Sequence, residues 1–420
     1  MAEIIANDDA RYAFDIVKAI CTEVGPGLSG SSQERERAAV IRRELESHLG
    51  AGNVVVEEFT VAPGAYLGSL PLSALFMLLA ALLNVSTGCF TGVSPWVTAT
   101  SALTCSIASV LLIVVELILG FEFVDPFFKK KRSVNVIGTL RKPGTKDVKR
   151  LLILSGHHDS ALEIAWLRLL GYGFVIASAT ALIGLITTLG MSSIQLTGVI
   201  AGNAGMVRMG TLGWAVLAYP IVPSIIVIMF FNGGRKNGGT VPGAADNLSA
   251  SALAVAMSRF LVTNPAYIPA DTEIRFVSFG SEEAGLRGSR RYVERHLDEL
   301  KRLDARLLNF ETVAHPEIAI LTSDVMGTVK NSPKMVKGVV AAAERAGVPY
   351  RVRSAFLGLA TDAGPFSRAG LKAVTLLPFK LPQQLVAFYH QRWDGPEVLT
   401  IEPLLNVLKL ALQWVRNGGE

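Results

Sequence analysis

Cysteine is scarce in this 420-residue chain. The three cysteines, Cys21, Cys89 and Cys105, lie far apart, and none belongs to a C-x-x-C pair. Secreted domains that depend on disulfides carry several paired cysteines, so the sequence indicates neither a disulfide framework nor an oxidising compartment. Asp8 and Asp9 precede any apolar run, and this order predicts that the chain has no secretory signal.

Charged residues are scarce as well. They make up 18% of the chain against 50% hydrophobic residues, and the mean hydropathy of +0.41 is too high for an ordinary soluble domain of this length. Asp, Glu, Lys and Arg are absent from residues 60–115, 169–207 and 209–234. A helix needs about 20 apolar residues to cross a bilayer, so we predict transmembrane helices within these windows. The predicted spans are residues 67–85, 97–119, 169–189 and 212–231.

Two alternatives accompany this prediction. Residues 194–206 carry no charge, but the segment is too short and contains too many polar residues to predict a fifth span. The four predicted spans would also suit buried core helices of a large soluble protein, although core helices seldom run this long without a charge. We therefore expect two transmembrane hairpins, residues 67–121 and 163–234.

Basic residues flank the predicted spans mainly on one side. Because Lys and Arg are enriched in cytoplasmic loops, this asymmetry predicts that the polar part of the chain is cytoplasmic. Basic and aromatic residues do not alternate, so nucleic acid is not an expected partner, whereas the lipid bilayer is. The flanking cations are Lys129, Lys130, Lys131 and Arg132 after the second span, Arg168 before the third, and Arg235 and Lys236 after the fourth, against Arg208 alone on the other side.

The polar segments, residues 1–66, 122–162 and 235–420, alternate between strand and helix patterns. This alternation predicts a three-layer α/β domain with a mostly parallel mixed sheet, interrupted by the two transmembrane hairpins. The turn chemistry of residues 141–146 predicts that the strands on either side of it form an antiparallel hairpin. The predicted strands are residues 53–61, 133–140, 150–155, 273–279, 306–313, 318–322, 350–355 and 373–377.

A His-x-Asp sequence follows the predicted strand 150–155. Side chains alternate along an extended chain, so His157 and Asp159 lie on one face and the carboxylate can orient the imidazole toward a metal. His158 points to the opposite face, so we do not expect it to bind metal. This spacing alone is weak evidence, because most histidines are ordinary surface groups.

Further acidic residues and one histidine follow other predicted strands or precede helices. Open α/β sheets bind ligands at the carboxyl ends of their strands, so these side chains are expected to meet there. Adjacent buried carboxylates are costly without a cation, although acidic residues also favour a solvated helix N-terminus. The candidates are Asp246, Glu282, Glu283, Glu311 and His390.

These residues fall within an ordered set of motifs. The motifs resemble those of the co-catalytic di-zinc aminopeptidases of metallopeptidase family twenty-eight, which has glutaminyl cyclase and glutamate carboxypeptidase relatives. The resemblance covers the polar segments and not the apolar pairs. The motifs are Ser-Gly-His157-His158-Asp159-Ser, Gly243-Ala-Ala-Asp246-Asn247-Leu-Ser, Phe279-Gly-Ser-Glu282-Glu283-Ala-Gly-Leu-Arg-Gly-Ser289 and Tyr389-His390.

The resemblance implies a di-zinc aminopeptidase that acts on peptides. By it, His157 and Glu311 bind one zinc, Glu283 and His390 bind the other, and Asp246 bridges both. Asp159 would orient His157, and Glu282 would be the general base.

The chain departs from the family pattern in two places. Glu311 stands where Asp is common, and Ala363 stands where the family usually has His. A glutaminyl-cyclase-like acyltransferase with one zinc, and an inactive membrane scaffold of the same fold, are the alternatives. Of the remaining histidines, His48 and His296 lie in charged helical segments and are expected to be solvated, and His315 precedes a proline in a loop.

The positions of the apolar pairs suggest where the cleft opens. If strands 133–140 and 150–155 form a hairpin, both pairs leave the α/β domain from the edge that carries His157. We therefore expect the cleft to accept the termini of membrane-bound peptides. The alternative is that the spans are a plain anchor.

Overall fold

The computed structural model describes residues 5–89, 92–203, 210–236, 239–356 and 358–420. The chain forms two compact units and passes between them four times. The larger unit contains Met1–Pro63, Lys130–Glu163 and Thr240–Glu420, and the smaller contains Gly64–Lys129 and Ile164–Gly239. Arg208, the one cation of the opposite loops in the orientation argument, lies outside the described residues.

A mixed sheet of eight strands organises the larger unit. Its spatial order is β1-β2-β4-β3-β5-β8-β6-β7, and four of the seven strand pairings among the described residues are parallel. The predicted α/β fold is therefore confirmed. The strands are β1 (Val54–Val61), β2 (Lys131–Arg141), β3 (Arg150–His157), β4 (Thr272–Phe279), β5 (Arg306–Phe310), β6 (Ile318–Leu321), β7 (Tyr350–Arg353) and β8 (Lys372–Leu377).

Helices account for most of the remaining structure. Those of the larger unit pack mainly against the sheet, and the others form the smaller unit. They are α1 (Asn7–Glu23), α2 (Ser32–Leu49), α3 (Ala65–Ser86), α4 (Pro95–Leu111), α5 (Ala165–Leu170), α6 (Gly173–Ile200), α7 (Gly210–Ala218), α8 (Ile221–Lys236), α9 (Ser249–Thr263), α10 (Arg287–Arg302), α11 (Pro333–Ala346), α12 (Ala363–Arg368), α13 (Gln383–Ala387) and α14 (Ile401–Arg416).

Apolar side chains fill both faces of the sheet. Leu152 and Leu154 of β3 join the core that contains α9 and α14, whereas Leu151 and Ile153 join a second core around Tyr292 of α10. This division follows from the alternation of side chains along a strand. Helices therefore cover the sheet on both sides, which gives the three layers.

The predicted hairpin between β2 and β3 is wrong. β4 lies between them and pairs antiparallel with β2 and parallel with β3. A strand more than a hundred residues further along the chain, β4, thus occupies the position beside β2 that the local turn predicted for β3. On its other side, β2 pairs antiparallel with β1.

The chain nevertheless leaves the larger unit at the edge that carries His157. Val61 pairs with Lys131 at the start of β2, and β2 runs antiparallel to β4. The start of β2 therefore lies at the same edge as Phe279, which pairs with His157. The chain segments that lead into and out of the second apolar pair are joined by an antiparallel β-bridge between Leu162 and Thr240. We call these two segments the neck of the second apolar pair.

The smaller unit contains four helices long and apolar enough to cross a membrane among the described residues. The third span differs from the predicted range 169–189. Its helix, α6, starts at Gly173 and continues through residues 194–200, which the prediction leaves outside any span. Ser193 and Thr197 donate hydrogen bonds to the carbonyl oxygens of Leu189 and Ser193, so these polar residues do not interrupt the helix. The four candidate spans are α3 (Ala65–Ser86), α4 with its continuation (Pro95–Ile118), α6 (Gly173–Ile200) and Leu212–Met229, which runs through parts of α7 and α8.

Small polar side chains join three of these helices. Ser73 of α3 and Ser109 of α4 each donate a hydrogen bond to the other's carbonyl oxygen, at 2.9 and 2.8 Å. The amide of Asn84 donates to Ser192 of α6 (2.8 Å), which also contacts Ser106 (2.7 Å). Interhelical hydrogen bonds between small polar residues are typical of helix association in membranes.

Candidate metal centre

Asp246 lies between two histidines. Its Oδ1 is 3.5 Å from Nε2 of His157, and its Oδ2 is 3.0 Å from Nε2 of His390. Oε1 of Glu311 is 3.7 Å from the same nitrogen of His157, and Oε1 of Glu283 is 3.3 Å from that of His390. The five candidate ligands therefore meet at one place.

The ligand atoms form two groups that share Asp246. One group is His157, Asp246 and Glu311, and the other is Asp246, Glu283 and His390, with all ligand atoms of a group within 4.8 Å of one another. The shared carboxylate directs one oxygen to each group. This is the arrangement that a pair of bridged metal ions requires.

The sheet explains why these residues converge. His157 is the last residue of β3, and Glu311 follows β5 directly. Glu283 lies four residues after the end of β4. β4, β3 and β5 are adjacent and parallel, so their carboxyl ends lie at one edge. Asp246 enters from an irregular turn, Ala244–Leu248, ahead of α9.

The donor set fits zinc. Imidazole nitrogens and carboxylate oxygens are common zinc ligands. His157, Asp246 and Glu311 are almost fully buried, at 1%, 3% and 4% exposure. Oδ2 of Asp246 and Oε1 of Glu283 are buried and accept no hydrogen bond from the described residues. Buried carboxylate oxygens without a donor are costly, and a metal cation would offset that cost.

The carboxylates and histidines perturb one another strongly. Burial raises the pKa of Glu311 to about 8, although the nearby imidazole of His157 opposes this shift. Burial would lower the pKa of His390, but Glu283 and Asp246 outweigh it and raise the pKa to about 10. The cluster therefore attracts positive charge. The raised pKa values mean that the cluster retains protons, and a bound metal cation would displace them.

Glu282 lies beside the first group. Its Oε2 is 3.6 Å from Nε2 of His157, and with His157 and Glu283 it forms a third cluster within 4.8 Å. Burial raises the pKa of Glu282 well above its usual range, and the charges of Glu283 and Glu311 add to this shift against that of His157. A carboxyl group with a raised pKa in such a position is suited to accept and return a proton.

Asp159 contacts both the histidine and the acidic loop. Its Oδ1 is 3.3 Å from Nδ1 of His157 and accepts a hydrogen bond from the amide of Glu282 at 3.0 Å. Its Oδ2 accepts hydrogen bonds from the amide of Glu283 (3.1 Å) and from the hydroxyl of Ser29 (2.7 Å). Asp159 is thus placed to orient His157, and it also fixes the backbone of Glu282 and Glu283.

Glu34 of α2 supports the same loop, and sequence reasoning missed it. Its Oε1 accepts hydrogen bonds from the amide and the hydroxyl of Ser281, both at 2.8 Å. Ser281 has a φ of 52°, a left-handed conformation that is unfavourable for a residue with a side chain. Burial and the nearby Asp159 raise the pKa of Glu34 to about 8 against these hydrogen bonds. Glu34 therefore holds the strained residue that precedes Glu282.

Arg37, one turn further along α2, joins two of the ligand loops. Nη1 donates to the carbonyl oxygen of His158 (3.2 Å), and Nη2 donates to those of Pro242 (2.6 Å) and Gly25 (2.5 Å). Its side chain is fully buried. In the sequence, Glu34 and Arg37 resemble the charges of a solvated helix, and only their spacing of three residues places them on one face.

Asp394 and Asn247 fix the turn that carries Asp246. The carboxylate of Asp394 accepts hydrogen bonds from the amides of Ala245 (2.8 Å) and Asp246 (3.1 Å). The side chain of Asn247 donates to the carbonyl oxygen of Phe310 (3.0 Å) and accepts from the amide of Thr312 (3.1 Å). Asn247 therefore links this turn to the Glu311 segment. The motif contained Asn247, but no sequence signal indicated Asp394.

Asp362 is a further buried carboxyl group near the cluster. Neither of its side-chain oxygens has a hydrogen-bond partner among the described residues. Burial raises its pKa to about 7, and its charge adds to the shifts of Glu282 and Glu311. Asp362 directly precedes Ala363, the position at which the family resemblance leads us to expect a histidine.

The other histidines do not join the ligand groups that the structure describes. Nδ1 of His158 contacts the hydroxyl of Ser278 at 2.9 Å, and burial lowers the pKa of His158 to about 4. The expectation that His48 and His296 are solvated is wrong. His48 contacts the Tyr12 hydroxyl at 2.6 Å, and His296 contacts Glu57 at 2.6 Å. Each of these two histidines contacts a side chain from another element, Tyr12 or Glu57. The helical pattern around the histidine does not predict that contact.

Comparison with known proteins agrees with this architecture. Residues 232–415 match Peptidase family M28. Aminopeptidase YwaD of Bacillus subtilis (strain 168) is 31% identical over 169 residues, which cover 39% of this chain and 31% of that protein. The chain thus matches about a third of the length of this curated relative.

Solved structures share the fold. BSAP, a zinc aminopeptidase from Bacillus subtilis, has a TM-score of 0.54 at 16% identity and covers 97% of this chain and 95% of its own. A glutaminyl cyclase from an Acidobacteriales bacterium has a TM-score of 0.55 at 13% identity, with coverage of 100% and 96%. At these identities the likeness concerns the fold alone.

The larger unit therefore has the α/β fold of these solved structures. The resemblance to family twenty-eight is confirmed for residues 232–415, which match the model of Peptidase family M28. This match includes Asp246, Glu282, Glu283, Glu311 and His390. It begins after His157 and Asp159, so the place of these two residues in the site depends on the geometry alone.

Proposed function

We propose that the chain is a membrane-embedded, zinc-dependent aminopeptidase that removes N-terminal residues from peptides. The observation that carries this proposal is the pair of ligand groups sharing Asp246, with Glu282 beside them. Two zinc ions held there, one by His157, Asp246 and Glu311 and one by Asp246, Glu283 and His390, would supply Lewis acidity toward water and the scissile carbonyl.

The chain's own groups would perform the proton transfers. Glu282 accepts a proton from the attacking water and returns it to the departing amine, which its raised pKa favours. Asp159 keeps the backbone of Glu282 fixed through an amide hydrogen bond of 3.0 Å. The acidic surroundings of Glu282 and Glu311 also favour a substrate that carries a free ammonium group, which supports an aminopeptidase rather than an endopeptidase.

A glutaminyl-cyclase-like acyl transfer is the second candidate, because proteins with that activity share the fold. Such an enzyme needs only the group of Asp246, Glu283 and His390. The second group, built on His157 and Glu311, favours the two-metal hydrolase. An inactive scaffold is disfavoured because no ligand of either group is replaced by a residue that cannot bind metal.

Metal content and turnover test these candidates together. The purified chain should contain two zinc ions by elemental analysis and should release amino acids from aminoacyl-p-nitroanilide substrates. One zinc ion per chain, with cyclisation of an N-terminal glutamine, would indicate the cyclase. A chain that binds no metal and turns over neither substrate would be a scaffold.

The membrane part of the proposal rests on the four apolar helices. The flanking cations support a cytoplasmic zinc domain, because Lys and Arg are enriched in cytoplasmic loops. A cysteine introduced at Lys146, an exposed residue of the β2–β3 connection, would then resist an impermeant thiol reagent in intact cells and react after lysis. Labelling in intact cells would reverse the orientation.

We also propose that the cleft takes the termini of membrane-associated peptides. Support comes from the sheet, since the chain leaves β1 and returns to β2 at the edge where His157 lies. Replacing both apolar pairs with short soluble loops should preserve hydrolysis of a soluble dipeptide and abolish hydrolysis of a bilayer-anchored peptide. Equal loss or equal retention for the two substrates would mean that the spans are a plain anchor.

A further inference from the structure

A basic hollow lies on the larger unit at the start of β2. It is a cavity of about 420 Å³ lined by Gly30, Arg35, Glu58, Lys131, Arg132 and Val134. Three of these residues are cationic and one is acidic. None of them is a candidate metal ligand, and only Gly30, whose amide donates a hydrogen bond to Oε2 of Glu34 (2.6 Å), contacts a residue that supports the metal centre among the contacts described above.

Backbone contacts bring the cations together. Nη1 of Arg35 on α2 donates a hydrogen bond to the carbonyl oxygen of Arg132 at 3.3 Å, which keeps Arg35 beside β2. Gly30 packs closely against the stem of Lys131, since a Cβ at this glycine would lie 2.8 Å from Cβ of Lys131. The hollow therefore has a defined wall on the α2 side.

The single acid does not neutralise the hollow. Glu58 lies 3.7 Å from Arg132, and both side chains are largely exposed, at 67% and 78%. An exposed ion pair of this kind contributes little free energy. Arg35 and Lys131 form no ion pair with a carboxylate among the described residues that line the hollow. The hollow thus has an excess of positive charge that suits an anion.

The ligand chemistry follows from the residue types. Guanidinium groups bind phosphate oxygens in pairs through parallel hydrogen bonds, and an ammonium group adds a point charge. The hollow therefore fits a phosphate group.

The chain beside the hollow indicates where that phosphate comes from. β1 ends at Val61, and the first apolar helix begins at Ala65, so at most about 14 Å of extended chain separates them. Lys129 and Lys130 precede β2 directly on the return from the second apolar helix. Basic clusters next to a membrane span attract anionic lipid headgroups.

We propose that Arg35, Lys131 and Arg132 form a binding site for the phosphate of an anionic phospholipid headgroup. This proposal rests on the membrane part of the proposed function and is independent of the peptidase chemistry. Occupancy of the site would fix α2 and the start of β2 relative to the lipid surface.

Native mass spectrometry of the full chain released from nanodiscs tests the site. The discs contain phosphatidylcholine alone or a three-to-one mixture with phosphatidylglycerol. The wild-type chain should retain phosphatidylglycerol in preference to phosphatidylcholine. The double variant Arg35→Gln/Arg132→Gln should lose this preference by roughly 25-fold, at about fivefold for each cation removed.

Matched variants separate the site from general charge. Lys142→Gln/Lys146→Gln removes the same charge from the β2–β3 connection and should retain phosphatidylglycerol as the wild type does. The single variant Arg132→Gln, whose side chain is 78% exposed, should show the intermediate loss without affecting folding. Equal losses in the hollow and control double variants would overturn the proposal.

A competitor and an activity measurement complete the test. Millimolar inorganic phosphate should not displace the lipid, and displacement would assign the hollow to soluble phosphate instead. Zinc content and aminopeptidase turnover are measured in phosphatidylcholine discs. A chain that retains phosphatidylglycerol but lacks turnover would refute the proposed peptidase and leave the lipid site, whereas a chain that does not enter discs would refute the lipid site.

Discussion

Arg37 binds the backbone of His158, with Nη1 3.2 Å from the carbonyl oxygen of the residue that separates His157 from Asp159. The same guanidinium binds the carbonyl oxygen of Pro242, four residues before Asp246. One buried side chain on α2 therefore sets the distance between the segments that carry two ligands of the same group.

Arg37→Met should weaken zinc binding by about 10- to 100-fold, the usual effect of removing a group that orients metal ligands. The loss has a physical cause, because the carbonyl oxygens of His158, Pro242 and Gly25 would lose their guanidinium donor, and that of His158 is buried. Chelator competition measures the affinity, and thermal unfolding of the metal-free protein measures the separate cost in stability.

Two further variants complete the Arg37 test. Arg37→Lys should recover only part of the affinity, because an ammonium group cannot reach all three oxygens in the planar arrangement of a guanidinium. Arg43→Met, an exposed change on the same helix, should leave zinc binding unaltered. Wild-type affinity in Arg37→Met would show that the loops hold their positions without it.

Glu282→Gln should retain both zinc ions and lower kcat by about 10² or more, the scale expected for loss of a general base. The amide keeps the size of the side chain but cannot accept the proton of water. Glu294→Gln, the same change at an exposed site on α10, serves as the control. Turnover at the wild-type rate, or loss of one zinc ion, would assign Glu282 a different role, the latter as a ligand.

Asp246→Ala should lose both zinc ions, whereas Glu311→Ala should lose one. The reason is that the oxygens of Asp246 face His157 and His390 separately, and Glu311 belongs to one group only. Elemental analysis after gel filtration counts the metal, with Asp298→Ala as an exposed control. A full equivalent of zinc in Asp246→Ala would contradict the bridge.

The sequence allowed the strands and the candidate ligands to be predicted, because both depend on local patterns. β4 and the segments around His157 and Glu283 are apolar runs followed by polar residues, which alternation and strand-end chemistry identify. The order of strands was not predictable in the same way. β4 lies between β2 and β3, and nothing in the turn at residues 141–146 indicates a partner that arrives after the second apolar pair.

The groups that support the site also escaped prediction, for a related reason. Glu34 binds Ser281, and Asp394 binds the amide of Asp246, across 247 and 148 residues of sequence respectively. Such side chains are chemically ordinary, and only the folded chain gives them partners. The sequence does not show which charge of an otherwise solvated helix is buried, so such a residue cannot be recognised before the structure is known.

The pair of Glu163 and Arg392 links the neck of the second apolar pair to the loop of His390. Oε1 and Oε2 of Glu163 accept hydrogen bonds from Nε and Nη2 of Arg392 at 2.8 and 2.7 Å. Glu163 is the last residue of the larger unit before the chain enters the smaller one, and Arg392 lies two residues after His390. The carboxylate is nearly buried, at 4% exposure, so the pair is more than a surface contact.

Glu163→Gln should lower the affinity for one zinc equivalent by about tenfold and leave the other unchanged, since only the group containing His390 loses its support. Arg392→Gln should have the same effect, and the double variant should add little, because the two changes break one interaction. Stepwise chelator titration resolves the two equivalents. Glu46→Gln, which breaks the exposed i,i+4 pair with Arg42, should alter neither. If both equivalents weakened together, or if the single effects of Glu163→Gln and Arg392→Gln added in full, the neck would not be coupled to the His390 loop.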